Sequence, residues 1–356
     1  MAPNRLILRV ACRLALALVA ALQGTAAWAQ TQPADVEAYR EQRRQATATF
    51  LDRNASKDAR LAAANRLGYP DEQTFAALLR IGQDRSEDDA IRLEALRRHR
   101  YDPAYVAAVL KILDDPEDGG EELDAMLIAD LSRRTTSTPP PETRQAMQTT
   151  LRKLLADRRD RVRLFAFKSL VSNHDRVAID ALVGALRRGR DLPIPLAEAV
   201  ALLDLDGPVN HIGTLRPYLT HPDPSVRAIV VRALAIDPQS RPRIIELARQ
   251  RTTEPKVRVA ALRGLAREDK GFAAYAIAMM EDARDDPTVR EAAMTSMVGR
   301  LNYGNATSAD VARFAQAVQR LANRVQPLST APPDPMTDKA REMIPFLRQS
   351  FPGSLP

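Results

Sequence analysis

Cysteine is all but missing from these 356 residues, Cys12 being the only one. It stands ahead of the apolar stretch Leu14 to Leu22, whereas a lipid-acceptor cysteine would follow such a stretch. A mature chain that loses this end has no disulfide, no thiol nucleophile and no cysteine metal ligand, so its stability must come from burial. Aromatic residues make up 4% of the chain, and its single Trp is Trp28. Stacking platforms for nucleic acid bases are therefore scarce. Long hydrophobic runs are missing too: the nine apolar residues Leu14 to Leu22 fall well short of the ~20 that cross a bilayer. No glycine-rich phosphate loop, nucleophile elbow or pair of catalytic carboxylates stands out.

What is present begins with a secretory leader. Arg5, Arg9 and Arg13 form a basic start, the apolar stretch follows, and Ala27-Trp28-Ala29 is a small-x-small cleavage site ahead of Gln30. Residues 1–29 read as a signal peptide, and the expected address is periplasmic or secreted. Losing three arginines and no acidic residue lowers the formal charge from +7 to +4. Both signs are interspersed along the chain, so the balance does not call for nucleic acid as a partner.

The rest of the chain repeats. Asp223-Pro224-Ser225-Val226-Arg227 returns as Glu254-Pro255-Lys256-Val257-Arg258 and as Asp286-Pro287-Thr288-Val289-Arg290. Aligned on the apolar residue of that phrase, the series is Ala59, Ile91, Leu123, Val162, Ile194, Val226, Val257 and Val289, in steps of 32, 32, 39, 32, 32, 31 and 32. That period is one helical hairpin. Asp223, Glu254 and Asp286 are expected to cap a helix whose first turn takes the following Pro, and Asp88 and Asp191 hold the same offset. Apolar residues at offsets 0, 3, 4, 7 and 8, such as Val226, Ile229, Val230, Ala233 and Leu234, make one stripe of that helix. A further amphipathic segment precedes each phrase, as in Tyr105 to Leu110 and Ile244 to Ala248.

The expected fold is all-α, a right-handed α-solenoid of about eight to nine hairpins over residues 30–323. The 39-residue step predicts a longer loop at 133–145, around Thr135 to Pro141. Residues 324–356 read as a Pro-rich linker (Pro327, Pro332, Pro333, Pro335) followed by a divergent terminal capping helix near Thr337 to Arg341.

The acidic turn followed by Val-Arg resembles HEAT repeats, in particular the short phycobilisome-lyase-type HEAT-like units, over most of residues 34–323. The resemblance implies a structural ladder of acidic turn residues with Arg60, Arg92, Arg163, Arg227, Arg258 and Arg290. It is predicted to break at Asp124 and Pro195, which stand where the Arg belongs. The resemblance also implies that the Val-Arg helices line the concave side. Offset 6 would then place Arg97, Lys168, Arg232 and Arg263 in the groove, beside Leu61, Leu93, Leu164, Leu196, Ala228 and Val259 at offset 2. Such a surface suits an extended peptide or an acidic protein segment. Packing of the offset-2 residues against neighbouring units, with the cations as ordinary solvated charges, is the plainer alternative.

Other chemistry is thinner. His99, His174, His211 and His221 are scattered and none has a second ligand at helical spacing, so neither a metal nor a cofactor is expected. The acidic runs Asp114 to Glu122 and Asp204-Leu205-Asp206-Gly207 do not complete a calcium loop; counted from Asp204, Val209 and Leu215 stand where its glycine and glutamate belong. The reading is a non-catalytic scaffold for a protein or peptide partner. The enzymatic alternatives are a glycosylase-like or bilin-lyase-like use of a basic groove. Intact mass and N-terminal sequencing of the protein from its native host are expected to give a chain starting at Gln30 with no maleimide-reactive thiol; a chain retaining Met1 and Cys12 would sink the leader assignment.

Overall fold

The computed structural model describes residues 33–68, 70–97, 103–134, 140–324 and 334–353. The leader, Cys12, Trp28, His99, Pro327, Pro332 and Pro333 lie outside the described residues. The chain divides into two compact units, residues 1–146 and 147–356.

Among the described residues every element is a helix or a short 3-10 turn. In the first unit these are α1 (Pro33–Leu51), α2 (Lys57–Ala64), α3 (Glu72–Gln83), α4 (Asp89–Arg97), α5 (Pro103–Asp114) and α6 (Glu121–Arg134). They pair as hairpins α1/α2, α3/α4 and α5/α6, with α2, α4 and α6 stacked as a row of second helices. The division falls within α7 (Pro141–Lys153). Of the loop expected at 133–145, Arg133 and Arg134 belong to α6 and α7 begins at Pro141, while residues 135–139 lie outside the described residues.

The second unit continues with α8 (Asp160–Ser172), α9 (Arg176–Arg188), α10 (Leu196–Asp206), α11 (Ile212–Leu215), α12 (Pro224–Leu234), α13 (Arg241–Arg249), α14 (Pro255–Glu268), α15 (Phe272–Glu281), α16 (Pro287–Asn302), α17 (Ser308–Ala322) and α18 (Pro335–Ser350). Here α8, α10, α12, α14 and α16 stack in order as second helices, and α18 packs on α16 and α17. Among the described residues the helices thus form an all-α, neighbour-to-neighbour solenoid packing in each unit, with no strand. No described helix is long and apolar enough to cross a membrane.

The core is the repeat's own stripe. At offset 4, Ala63, Ala95, Leu127, Ala166, Val230, Ala261 and Ala293 are buried, and so are Leu67, Leu131, Leu170, Leu202, Leu234, Leu265 and Met297 at offset 8. Small against large lets second helices approach closely, burying on the order of 25 cal/mol of stabilisation per Å² of apolar surface.

The caps follow the acidic residue only in part. Asp223 Oδ1 accepts from the Ser225 amide at 2.7 Å, Asp286 from Thr288 at 2.8 Å, and Asp88 from Ala90 at 2.9 Å. Glu254 occupies the cap position but makes no capping bond, because its longer side chain reaches the Arg227 guanidinium instead. Asp191 does not cap α10 either. It adopts φ 55°, and Pro193 and Pro195 delay the helix until Leu196, leaving Pro195 at the cap without a side-chain bond.

A close helix approach falls at Gly264 of α14. A methyl group there would lie 2.7 Å from Ala235 Cβ and 2.9 Å from the Arg232 carbonyl oxygen, so the backbones would have to separate. Gly264→Ala is expected to destabilise by roughly 1–3 kcal/mol through overpacking. Gly299→Ala in α16, where nothing lies within 4 Å, should be neutral or stabilising by up to about 1 kcal/mol. Denaturant melts of both variants check this, and equal shifts would refute the close approach.

Candidate binding surfaces and the arginine ladder

The side chains that most constrain the site are buried arginines. Arg60, Arg92, Arg258 and Arg290 each project from the first turn of a second helix, and each is almost fully buried. Their Nε–H groups donate to the carbonyls of Phe50, Gly82, Ala248 and Met280 at 2.9, 3.2, 2.9 and 3.1 Å. Each acceptor is the penultimate residue of the preceding first helix, one of the carbonyls a helix cannot satisfy from within. The two remaining nitrogens face a carboxylate of the next hairpin. Arg60 grips Glu87 at 3.0 and 2.8 Å, Arg258 grips Asp285 at 2.5 and 2.6 Å, and Arg290 grips Asp334 at 2.8 Å twice. Arg92 reaches Asp118 through both its carboxylate and its carbonyl, at 2.7 Å each. Such bidentate pairs are what guanidinium geometry favours over ammonium.

Arg163 and Arg227 behave differently, and for one reason. Their first helices end in 3-10 turns, Leu154–Ala156 and Arg216–Thr220, so the free carbonyls move into the turn. Arg163 donates to the Asp157 carbonyl at 2.6 Å and Arg227 to the His221 carbonyl at 2.6 Å. Arg163 also donates to the Pro193 carbonyl, and Arg227 to Glu254, because the position ahead of that cap holds the buried Thr253. Both are only half buried. Asp124, at an Arg position, is fully buried, and Pro195 is exposed.

Burial alone would push the Asp285 carboxyl up. The Arg258 hydrogen bonds, the Asp286 amide and the charges of Arg258 and Arg251 together outweigh it and hold the group below the ordinary aspartate range. Asp334 is lowered chiefly by its bonds to Arg290. Because these folded-state values are depressed, the stability they supply is complete above the ordinary aspartate range and is lost as pH falls below it.

The offset-6 cations are more neutralised than their sequence positions imply. Arg97 pairs with Glu94 at 2.8 Å, Lys168 with Glu198 at 3.1 Å, and Arg232 with Asp204. Arg263 is exposed and has no ion pair among the described residues. At offset 2, Leu61, Leu93, Leu164, Leu196 and Val259 are half buried, while Ala228 is buried and offers nothing to a ligand. The second-helix face is thus mixed in charge, with apolar side chains between the ion pairs.

One cluster escaped the sequence reading. Asp206 accepts from His174 Nδ1 at 2.7 Å and from His211 Nε2 at 2.8 Å, so both of its oxygens are committed. Burial raises its carboxyl, but the two imidazoles outweigh burial and lower it. A carboxylate kept ionised is an acceptor only, which makes each facing imidazole nitrogen the donor. The available signal was the spacing: His174 and Asp206 lie 32 residues apart, one repeat period. Among the described residues no group of three or more His, Cys, Asp or Glu side chains is placed to hold a metal ion.

A family model for HEAT repeats matches residues 212–298, from α11 to within α16, including the starts Asp223-Pro224, Glu254-Pro255 and Asp286-Pro287. No curated protein matches the chain. Among solved structures, the chain is similar to the complex of CpcE and CpcF of phycocyanin lyase from Nostoc sp. PCC7120, at 18% identity and a TM-score of 0.40, covering 79% of this chain and 97% of that one. Within the matched repeats, Arg258 joins Ala248 to Asp285 and thereby ties α14 to the turns on either side of it.

Arg258→Ala removes one partner of a buried pair and strands Asp285, which is expected to cost roughly 3–5 kcal/mol. Arg227→Ala, at the slipped and partly exposed rung, should cost no more than about 1–2 kcal/mol. Chemical denaturation separates the two, and equal losses would contradict the distinction between intact and slipped rungs.

Proposed function

We propose that this chain is a non-catalytic, exported scaffold of the cell envelope that holds a protein or peptide partner along the exposed face of its second helices. The observation that carries the reading is the make-up of that face in the second unit. Leu164, Leu196 and Val259 stand half buried beside the Lys168–Glu198 pair and the cation of Arg263, which is unpaired among the described residues, and α14 beneath Val259 is held by the intact Arg258 rung. A rigid row of apolar side chains with ionic edges offers shape and register to an extended segment, the common use of helical repeats. The leader at residues 1–29 supports export, and its removal leaves no membrane span in this reading. A basic groove for a nucleic acid or an enzyme substrate is less favoured, because Arg97, Lys168 and Arg232 already face carboxylates.

The test is affinity purification from the native envelope fraction, with mass spectrometry of what is retained. The wild-type chain should hold one protein in stoichiometric amount, and Lys168→Glu combined with Arg263→Glu should reduce its recovery roughly tenfold or more. Recovery of no companion, or equal recovery with the variant, would overturn the assignment.

A further inference from the structure

In the second unit, α14 departs from the other second helices at one position. Counted from the apolar residue of each phrase, offset 10 is Ser172, Asp204, Ile236 and Gly299 for α8, α10, α12 and α16, but Arg267 for α14. Arg267 stands one turn beyond Arg263 and two beyond Val259, so the three share one stripe of the second-helix face. Arg263 and Arg267 are both exposed, and their side-chain N–H groups make no hydrogen bond or ion pair among the described residues. Like charges four residues apart on a helix repel each other, and α14 carries two of them together.

Neighbouring carboxylates do not offset the pair. On the α12 side Asp204 is held by Arg232, and on α16 Glu291 pairs with Lys339. Glu268, next to Arg267, falls at offset 11 and continues the core-facing stripe, and Asp269 accepts from the Gly271 amide at 3.2 Å. Lys270, exposed in the following turn, adds a third cation. What Arg267 does meet is a ring: its Cζ lies 4.4 Å from the centre of Tyr303. Tyr303 is 61% exposed and is placed by the end of α16. Gly304 turns the chain at φ 70°, its amide donating to the Leu301 carbonyl at 3.0 Å and the Asn305 amide to the Arg300 carbonyl at 3.1 Å, the double closure that ends many helices. A ring face attracts a guanidinium without neutralising it, so Tyr303 orients Arg267 and leaves its charge for a ligand.

We propose that α14 and the end of α16 receive an extended acidic segment of the protein partner, with one carboxylate at Arg263, the next at Arg267 and an apolar side chain against Val259. The spacing fits. Residues four apart in a helix rise by about 6 Å, and alternate residues of an extended chain, which share a face, lie about 6.7 Å apart. The stripe from Val259 to Arg267 runs about 12 Å along an open surface, a length that suits a run of about four extended residues rather than a small acid. Gly299 leaves open space on the neighbouring helix, with nothing within 4 Å of where its side chain would begin. The proposal rests on the scaffold reading in taking the ligand to be a protein, and it fixes the part of the second-helix row where the charge of that partner is recognised.

The experiment is fluorescence anisotropy of the full mature chain with a labelled Leu-Ser-Glu-Ser-Glu peptide and its Leu-Ser-Gln-Ser-Gln counterpart. Saturable binding of the Glu peptide is expected, at least roughly tenfold weaker for the Gln peptide and for Arg263→Glu combined with Arg267→Glu. Tyr303→Ala should weaken binding several-fold without changing any charge, and Tyr303→Phe, which keeps the ring face, should restore it. Arg284→Glu, an exposed charge in the turn at the opposite end of α16, should leave binding unchanged. Equal binding of both peptides, no effect of the double variant, an equal loss with Arg284→Glu, or tighter binding of a single-stranded oligonucleotide than of the Glu peptide would each overturn the site. Wild-type affinity in Tyr303→Ala would overturn the role given to the ring. Circular dichroism checks folding, and should the charge-reversed pair fail to fold, Arg267→Gln decides in its place. A natural companion that Arg267→Glu retains as well as the wild type does would remove this site while leaving the scaffold reading. Glu-peptide binding with no natural companion recovered would keep the site and sink that reading.

Discussion

A helix ends with carbonyls it cannot satisfy, and a stack of hairpins buries many such ends. The answer adopted here is a guanidinium from the following helix. At Arg60, Arg92, Arg258 and Arg290, Nε–H closes off the penultimate residue of the first helix while the other two nitrogens reach into the next hairpin. One side chain therefore fixes the angle within a hairpin and the register between hairpins. Lysine could not replace it, since a single ammonium has neither the planar fork nor the reach to serve both acceptors. Within each unit, the packing of small residues at offset 4 against large ones at offset 8 depends on that register being held.

Much of this was legible as a pattern. The 32-residue period, the Val-Arg phrase and the core stripe all reflect local physics: capping, 3.6-residue periodicity and alternation of side-chain size. What could not be read were the places where the backbone shifts by a fraction of a turn. The 3-10 segments after α7 and before α12 move the free carbonyls into the turn, so Arg163 and Arg227 keep the motif but lose the geometry. Glu254 shows a similar limit. A glutamate written where an aspartate caps its neighbours is one methylene longer, and that length turns it from the helix start to Arg227. Spacing names the residue type a position needs without saying which of two nearby acceptors it will choose.

The candidate surface was read with the same partial success. Offsets placed Lys168, Arg232 and Arg263 on the second helices, but ion pairing depends on which carboxylate of an adjacent hairpin lies within reach. Lys168 looks one hairpin forward to Glu198, whereas Arg232 looks one back to Asp204. His174 and Asp206 meet by the same logic, one period apart in equivalent turns. In this repeat chain, partners lie about one period away, as for Lys168 and Glu198, as well as at helical spacing, as for Arg97 and Glu94.

Repetition itself restricts where recognition can arise. A regular rung satisfies its polar groups internally and presents its neighbour with the same surface again, so it carries little discrimination. Distinct chemistry collects where a rung is incomplete. At α1 there is no earlier helix among the described residues to cover Tyr39, and the core that holds Ala46 and Phe50 does not reach it. A ladder arginine spends its charge on carbonyl and carboxylate inside the fold; Arg40, without that outlet, keeps its charge for whatever approaches. The same principle that satisfies the ladder arginines inside the fold leaves an exposed cation such as Arg40 without an ion pair among the described residues, and such a cation can gain more from a carboxylate ligand than one already paired.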